Sequence, residues 1–340
     1  AGTGVPEARR GHAMYLWNVM GSTIHRNTVR DAADGIHLEF SDDNLIVGND
    51  VRDSRYALHF MTAHRNKIVR NEFVGNLAGA VLMFSHELIV TGNEFSSNRA
   101  GATGTGMLLK DDDNFFAEGN RMLRNKYGIT IEGTPQTAGT TAIIRRNLLA
   151  LNDVGVSLTS NSPITFVENA VIDNGVQVRA QSGSLAHGAA AGATAADASK
   201  LPRGAVWTSA GRGNYWSDYR GFDADGDGTG DQPYRPRPAF AGQLDDDDTL
   251  RLFQYTVAQQ AIDLAADLFP VFRYDAVMED SGPLMSPPDG LGMAHGEGVN
   301  LRLLIASAVL AAASMGAIAG LAGIRLLPAR GARARPSFAG

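Results

Sequence analysis

An asparagine returns along this chain at Asn27, Asn49, Asn71, Asn93, Asn120, Asn147 and Asn169, at intervals of 22, 22, 22, 27, 27 and 22 residues. One period of 22 with two five-residue insertions accounts for every interval. A second polar column follows five residues later, at Ser54, Asn76, Asn98, Asn125, Asn152 and Asn174. A glycine with an apolar residue after it forms a third column: Gly35-Ile36, Gly79-Ala80, Gly106-Met107, Gly128-Ile129 and Gly155-Val156. Self-similarity at a fixed period of this length is the mark of a solenoid, in which each unit buries its apolar face only by stacking on its neighbours.

The kind of solenoid follows from the runs between the asparagines. Ile36, Leu38 and Phe40 alternate with His37 and Glu39, and Leu58 and Phe60 alternate with His59 and Met61. That is strand period, not the 3.6 of a helix. Each 22-residue unit therefore reads as one coil of a parallel β-helix, stacked about 4.8 Å from the next. The asparagines suit the corners, where they tolerate left-handed backbone and hydrogen-bond the adjoining coil, and are read as structural. The insertions near Arg99–Thr105 and Gly133–Gly139 are expected to bulge outward.

Composition narrows the chemistry. The chain has 340 residues, a formal net charge of −6, 39 glycines and no cysteine. Absence of cysteine rules out a disulfide-stapled miniature, a Cys-ligated zinc module and a Cys nucleophile, so any soft-metal chemistry falls to Met and His. The mildly acidic balance, with no basic block before the C-terminus, argues against nucleic acid as the main partner. No phosphate-binding Gly-rich loop followed by Lys-Ser/Thr is present, so an ATP-driven cycle would be powered by a partner.

With the register set by the period, columns are read by adding 22. His37 underlies His59 and then Val81; Glu39 underlies Met61 and then Met83; Asp42 underlies His64 and then His86. With Leu38, Phe60 and Leu82 inward, His37, His59, Glu39, Met61 and Met83 face outward. Thioether and imidazole groups on consecutive coils, without a thiolate, suit copper, Cu(I) above all. His37, His59, Met61, His64, Met83 and His86 are the copper candidates. The alternative is that the methionines pack under an insertion loop or a partner protein.

The C-terminal half changes character. Residues 181–205, rich in Ala, Gly and Ser, read as a loop or linker. A Trp/Asp-rich segment, 206–248, is expected to cap the coils. Within it Asp223, Asp225, Asp227 and Asp231, with Gly228 in sixth place, match positions 1, 3, 5 and 9 of a calcium loop, although the twelfth position is Tyr234 rather than Glu. A structural calcium site and a metal-free Asp/Gly turn both fit. Residues 249–272 read as an amphipathic helix ended by Pro270, folded on the solenoid end or docked on a membrane partner. Residues 273–302 read as a stalk. From Leu303 to Ile324 no residue is charged; at about 1.5 Å per residue this spans roughly 33 Å, a candidate membrane helix. Arg325, Arg330, Arg333 and Arg335 follow it, placing the 325–340 tail on the cytoplasmic side and the coils outside. The chain opens inside the repeat without an export signal and reads as a processed or truncated piece.

These pieces together resemble the NosD-type accessory proteins of nitrous oxide reductase maturation. The resemblance rests on Gly213-Asn214-Tyr215-Trp216-Ser217-Asp218-Tyr219 joined to the run from Phe222 to Pro236, on His59-Phe60-Met61 and Met83-Phe84-Ser85-His86, and on Phe269-Pro270-Val271 followed by Pro283-Leu284-Met285. It implies a right-handed parallel β-helix on the periplasmic side. It further implies work with an ABC-type ATPase and permease, and with a copper chaperone, in assembling the copper centres of nitrous oxide reductase. The family's strand motifs fall on His59, Met61, Met83 and Ser85. The C-terminal anchor departs from the soluble periplasmic pattern.

The competing class is a polysaccharide-active or polysaccharide-binding β-helix: a lyase, hydrolase or epimerase using carboxylates and cations on adjacent coils. Lys110, Asp111, Asp112, Asp113 and Glu132 would be its catalytic group. Aromatic sugar platforms are scarce at the outward positions, so the preferred reading is an accessory protein without catalysis of its own. A scaffold that binds no metal differs from it only in what the face holds.

Overall fold

In the computed structural model, residues 10–101, 104–159, 163–180, 204–236 and 278–291 are described. Three parallel sheets run along one stack of coils. The first contains Met14–Trp17, Asp34–Glu39, Tyr56–Met61, Ala78–Met83, Thr105–Lys110, Tyr127–Glu132, Val154–Leu158 and Val176–Ala180. The second runs from Thr23–His25 to Thr165–Val167, and the third from Thr28–Arg30 to Ala170–Ile172, with Tyr215–Trp216 added at its end. This is a parallel β-helix, and no helix occurs among the described residues. The expected helices at 249–272 and 303–324, and most of the 181–205 linker, lie outside the described residues.

The register is the one the period dictates. Leu38 pairs with Phe60 and Phe60 with Leu82, while His37 pairs with His59 and Glu39 with Met61. Both insertions are confined to corners: Val81 pairs with Leu108 across the first and Thr130 with Ser157 across the second, so each column continues. Ile36, Leu58, Phe60, Leu82, Phe95, Leu109 and Ile131 are fully buried between the sheets. The glycine column has a steric cause. A Cβ at Gly106 would lie 2.6 Å from the Gly128 carbonyl oxygen and 2.9 Å from Asn125 Nδ2, and a Cβ at Gly79 would lie 2.5 Å from the Gly106 carbonyl oxygen.

The asparagines form the ladder, although the left-handed backbone expected of them belongs to the residue before. Arg26, Arg70, Arg146 and Glu168 have φ of 51–53°, and Gly48, Gly92 and Gly119 have φ of 64–66°; the ladder asparagines are absent from this region. The asparagine supplies hydrogen bonds instead. Asn93 Oδ1 accepts from Asn71 N and Asn71 Nδ2 at 2.9 Å each, while Asn93 Nδ2 donates to Ile68 O and to Asn120 Oδ1, also at 2.9 Å. Each side chain thus satisfies backbone groups that a buried corner would otherwise leave unpaired. The ladder continues past Asn169 to Asn214, 45 residues on, whose Oδ1 accepts from Asn169 N at 3.0 Å.

Asn214 belongs to a cap formed by residues 204–236 and 278–291. Tyr215 and Trp216 pair with Ala170 and Val171, and Trp216 stacks on Tyr234 with centroids 4.6 Å apart. At the centre lies Asp280, fully buried, which accepts hydrogen bonds from Thr208 Oγ1 (2.7 Å), Asn214 N (2.8 Å) and Trp216 Nε1 (2.9 Å). Residues 278–291 fall in the stretch read as stalk, and the structure corrects that reading for them: Asp280 pairs with Tyr234, and Leu284 with Tyr215 and Thr229. Their Pro/Gly/Met composition conceals one buried carboxylate that outweighs it.

Candidate metal centre

The outer face of the first sheet carries the candidate residues in two columns. Tyr15, His37, His59, Val81 and Leu108 form one; Trp17, Glu39, Met61, Met83 and Lys110 form the other. The six copper candidates stack as three pairs along the coils.

His37 and His59 stack with centroids 4.3 Å apart. Although they face outward they are buried, at 7% and 9% exposure, under Tyr15, Tyr56 and His12. Both lie on Asp34, which is fully buried at the start of the same strand, three residues before His37. His59 Nδ1 is 2.9 Å from Asp34 Oδ2, His12 Nδ1 3.3 Å and His37 Nδ1 3.6 Å. Arg55 grips the same carboxylate through Nε and Nη2, at 2.9 Å each. Burial opposes ionisation of Asp34, but hydrogen bonds from His59 and Arg55 prevail and hold its carboxyl below the ordinary value. Burial, reinforced by the charge of His59, pushes His37 down to about 4, so its imidazole is neutral near pH 7.

Met61 and Met83 form the second pair, partly exposed and in direct register. Below them Glu39 accepts a hydrogen bond from Tyr15 Oη at 2.5 Å. Trp17 (61% exposed), at the foot of this column, and Phe40 and Phe84, which follow Glu39 and Met83 in the chain, are exposed apolar side chains.

His64 and His86 lie beyond the corner, past the left-handed residues Thr62 and Phe84, stacked at 3.6 Å. His64 Nδ1 accepts from His86 N at 3.2 Å, which places the ring proton of the neutral imidazole on Nε2. Burial, then the neighbouring His86, lowers the pKa of His64. Ser85, matched by the strand motif, does not share the outer face: it is buried in the corner, where its Oγ accepts from Ala63 N at 3.0 Å.

Sequence reasoning missed His12 and Asp34. Asp34 immediately precedes a glycine-apolar pair, and His12 stands 22 residues before it, so the period itself was the available signal.

The alternative catalytic group is dispersed into structural roles. Lys110 pairs with Glu132 at 3.6 Å. Asp112 is buried in a corner, where Oδ1 accepts from Ser85 N at 2.9 Å. Asp113 Oδ1 accepts from Gln136 N, Thr137 N and Thr140 Oγ1 at 2.8 Å each, shaping the second insertion.

In the calcium-like loop the donor oxygens of Asp223, Asp225 and Asp227 lie within 4.8 Å of one another. Asp223 accepts from Gly226 N (2.7 Å) and Gly228 N (2.9 Å), and Asp231 from Ala224 N (2.7 Å). Tyr234, in twelfth place, is buried and donates its hydroxyl to Asp218 at 3.0 Å.

Comparison with known proteins places the chain in a family. The family model described as "Periplasmic copper-binding protein (NosD)" matches residues 1–221. The probable ABC transporter binding protein NosD of Pseudomonas aeruginosa is 39% identical over 82 residues, and that of Stutzerimonas stutzeri 38% over 82 residues. In each case the match covers 24% of this chain and 19% of the relative, so it spans about a fifth of those proteins' length. Both relatives carry the name of a binding protein, in keeping with a chain that binds rather than catalyses. With nearly two-thirds of its length matched and the repeat realised as coils, the chain belongs to the NosD family of periplasmic copper-binding proteins.

Proposed function

We propose that this chain is an extracytoplasmic accessory protein that handles copper for the assembly of the copper centres of nitrous oxide reductase. It works beside an ABC-type ATPase and permease and exchanges copper with a chaperone. The observation that carries this reading is the in-register stack of Met61 on Met83 on an outer sheet face. Two thioethers one coil apart, with the imidazoles of His64 and His86 beyond the corner, are a soft donor set suited to Cu(I). The exposed side chains of Trp17, Phe40 and Phe84 supply apolar contacts for a docking carrier. In this reading residues 303–324 tether the coils to the membrane, and the Asp223–Asp231 loop holds a structural calcium.

The reading is tested by anaerobic Cu(I) titration of the full chain against a weak competing chelator, in wild type and in the Met61→Ala/Met83→Ala double variant. Stoichiometric binding lost in the variant supports copper handling on this face. Equal binding in both, or none in either, removes the thioether site and leaves a scaffold for partner proteins. For calcium, excess EGTA should lower the melting temperature of the cap; an unchanged melt leaves a self-bonded Asp/Gly turn.

A further inference from the structure

We infer that His12, Asp34 and His37 form a second metal site, separate from the thioether pair, that takes a divalent first-row ion of the borderline class, Cu(II) before Zn(II). Three observations carry it. First, one donor atom from each of the three residues lies within 4.8 Å of the others, the spacing of ligands around one ion. Second, His37 is 93% buried by its 7% exposure, yet neither ring nitrogen has a hydrogen-bond partner, and Nδ1 is directed at Asp34 Oδ2 from 3.6 Å. A buried polar group left unpaired costs about 1–3 kcal/mol. Third, the fold does not ask for histidine there, because the same outward column continues with Val81 and Leu108.

Too many donors surround a single oxygen. Arg55 Nη2 and His59 Nδ1 each approach Asp34 Oδ2 at 2.9 Å, which leaves His12 and His37 beyond good hydrogen-bonding distance at 3.3 and 3.6 Å. A cation bound through the lone pairs of His12 Nδ1 and His37 Nδ1, with Asp34 as the third ligand, resolves the crowding. Arg55 and His59 then hold the carboxylate in place, as outer-shell partners do around bound metals. Imidazole and carboxylate donors without sulfur select borderline divalent ions, and among these Cu(II) binds most tightly at a given site. His12, with its side chain 37% exposed, supplies the path of entry.

The test is aerobic titration of the full chain with Cu(II) and separately with Zn(II), with electron paramagnetic resonance of the Cu(II) form. Three variants are compared with wild type: His12→Ala, His37→Val and Met61→Ala/Met83→Ala. His37→Val places in the column a residue it already uses, and circular dichroism reports whether it folds. Wild type is expected to bind one Cu(II) with nitrogen superhyperfine structure. His12→Ala and His37→Val should each weaken binding at least about tenfold and remove one nitrogen coupling; the methionine variant should leave both unchanged. Equal Cu(II) affinity in wild type and folded His37→Val overturns the site, as does its loss in the methionine variant. Since Cu(I) binding to the thioethers is read separately, either reading can fail while the other stands.

Discussion

Asp112 occupies a corner position at which neighbouring coils carry Ser41, Ala63, Ser85 and Thr134. It is fully buried, and its Oδ2 has no hydrogen-bond partner. Burial raises its carboxyl well above the ordinary value, and the backbone hydrogen bond from Ser85 does not offset this. With the folded pKa above the unfolded one, the contribution of Asp112 to stability is intact at low pH and is lost as the pH rises through the folded value. Asp112→Asn keeps an acceptor for Ser85 N and carries no charge. It should stabilise the protein by about 1–3 kcal/mol near pH 7, with little gain near pH 4, as read from thermal melts across that range. At this scale the sequence was least legible. A three-Asp run reads as a solvated turn, and only the corner geometry shows that the middle one faces inward.

At the scale of the coil, stability is a sum over neighbours, so the cost of a substitution depends on how many coils flank it. Asn93→Ala removes the acceptor for Asn71 N and Asn71 Nδ2 and the donor to Ile68 O and Asn120 Oδ1, all in the buried middle of the ladder. We expect a loss of about 2–4 kcal/mol by denaturant titration. Asn27→Ala, where the side chain is only partly buried and bonds His25 O and Asn49 Oδ1, should cost clearly less. Equal losses would show that the ladder is not cooperative along its length. The coils were legible because the same constraint recurs every 22 residues: a left-handed residue, then an amide that bonds the next coil. The glycine column was legible as a pattern, but its cause, a neighbouring carbonyl 2.5–2.8 Å from where a Cβ would stand at Gly79, Gly106, Gly128 and Gly155, needs coordinates. Alternation and the period together were enough to read the register that stacks His37 with His59 and Met61 with Met83. Adding 22 predicts which side chains stack; it does not show that the left-handed residues Thr62 and Phe84 stand between the strand positions Met61 and Met83 and the histidines His64 and His86.

For the whole molecule the cap matters most. Asp280 ties Thr208, Asn214 and Trp216 of the 204–236 stretch, together with Gly282 beside it, through hydrogen bonds of 2.7–3.3 Å. Asp280→Ala should release the cap before the coils melt. Trp216, only 1% exposed, would then give a red-shifted emission at a temperature where the strand signal in circular dichroism is still native. A single coincident transition for both probes would show that cap and coils unfold as one. The role of Asp280 was illegible because Thr208, Asn214 and Trp216 lie 64–72 residues away and no period connects them.

The two corner insertions have a further consequence. Because Val81 still pairs with Leu108 and Thr130 with Ser157 across them, the chain lengthens there without moving a single side chain of the first sheet out of line. Loop length and face geometry are independent variables in this architecture. Lineages, or protein engineers, are therefore free to graft new recognition loops at residues 99–104 and 133–141 to suit a different partner, while the donor atoms of the neighbouring face keep their spacing as marks on a rigid scale.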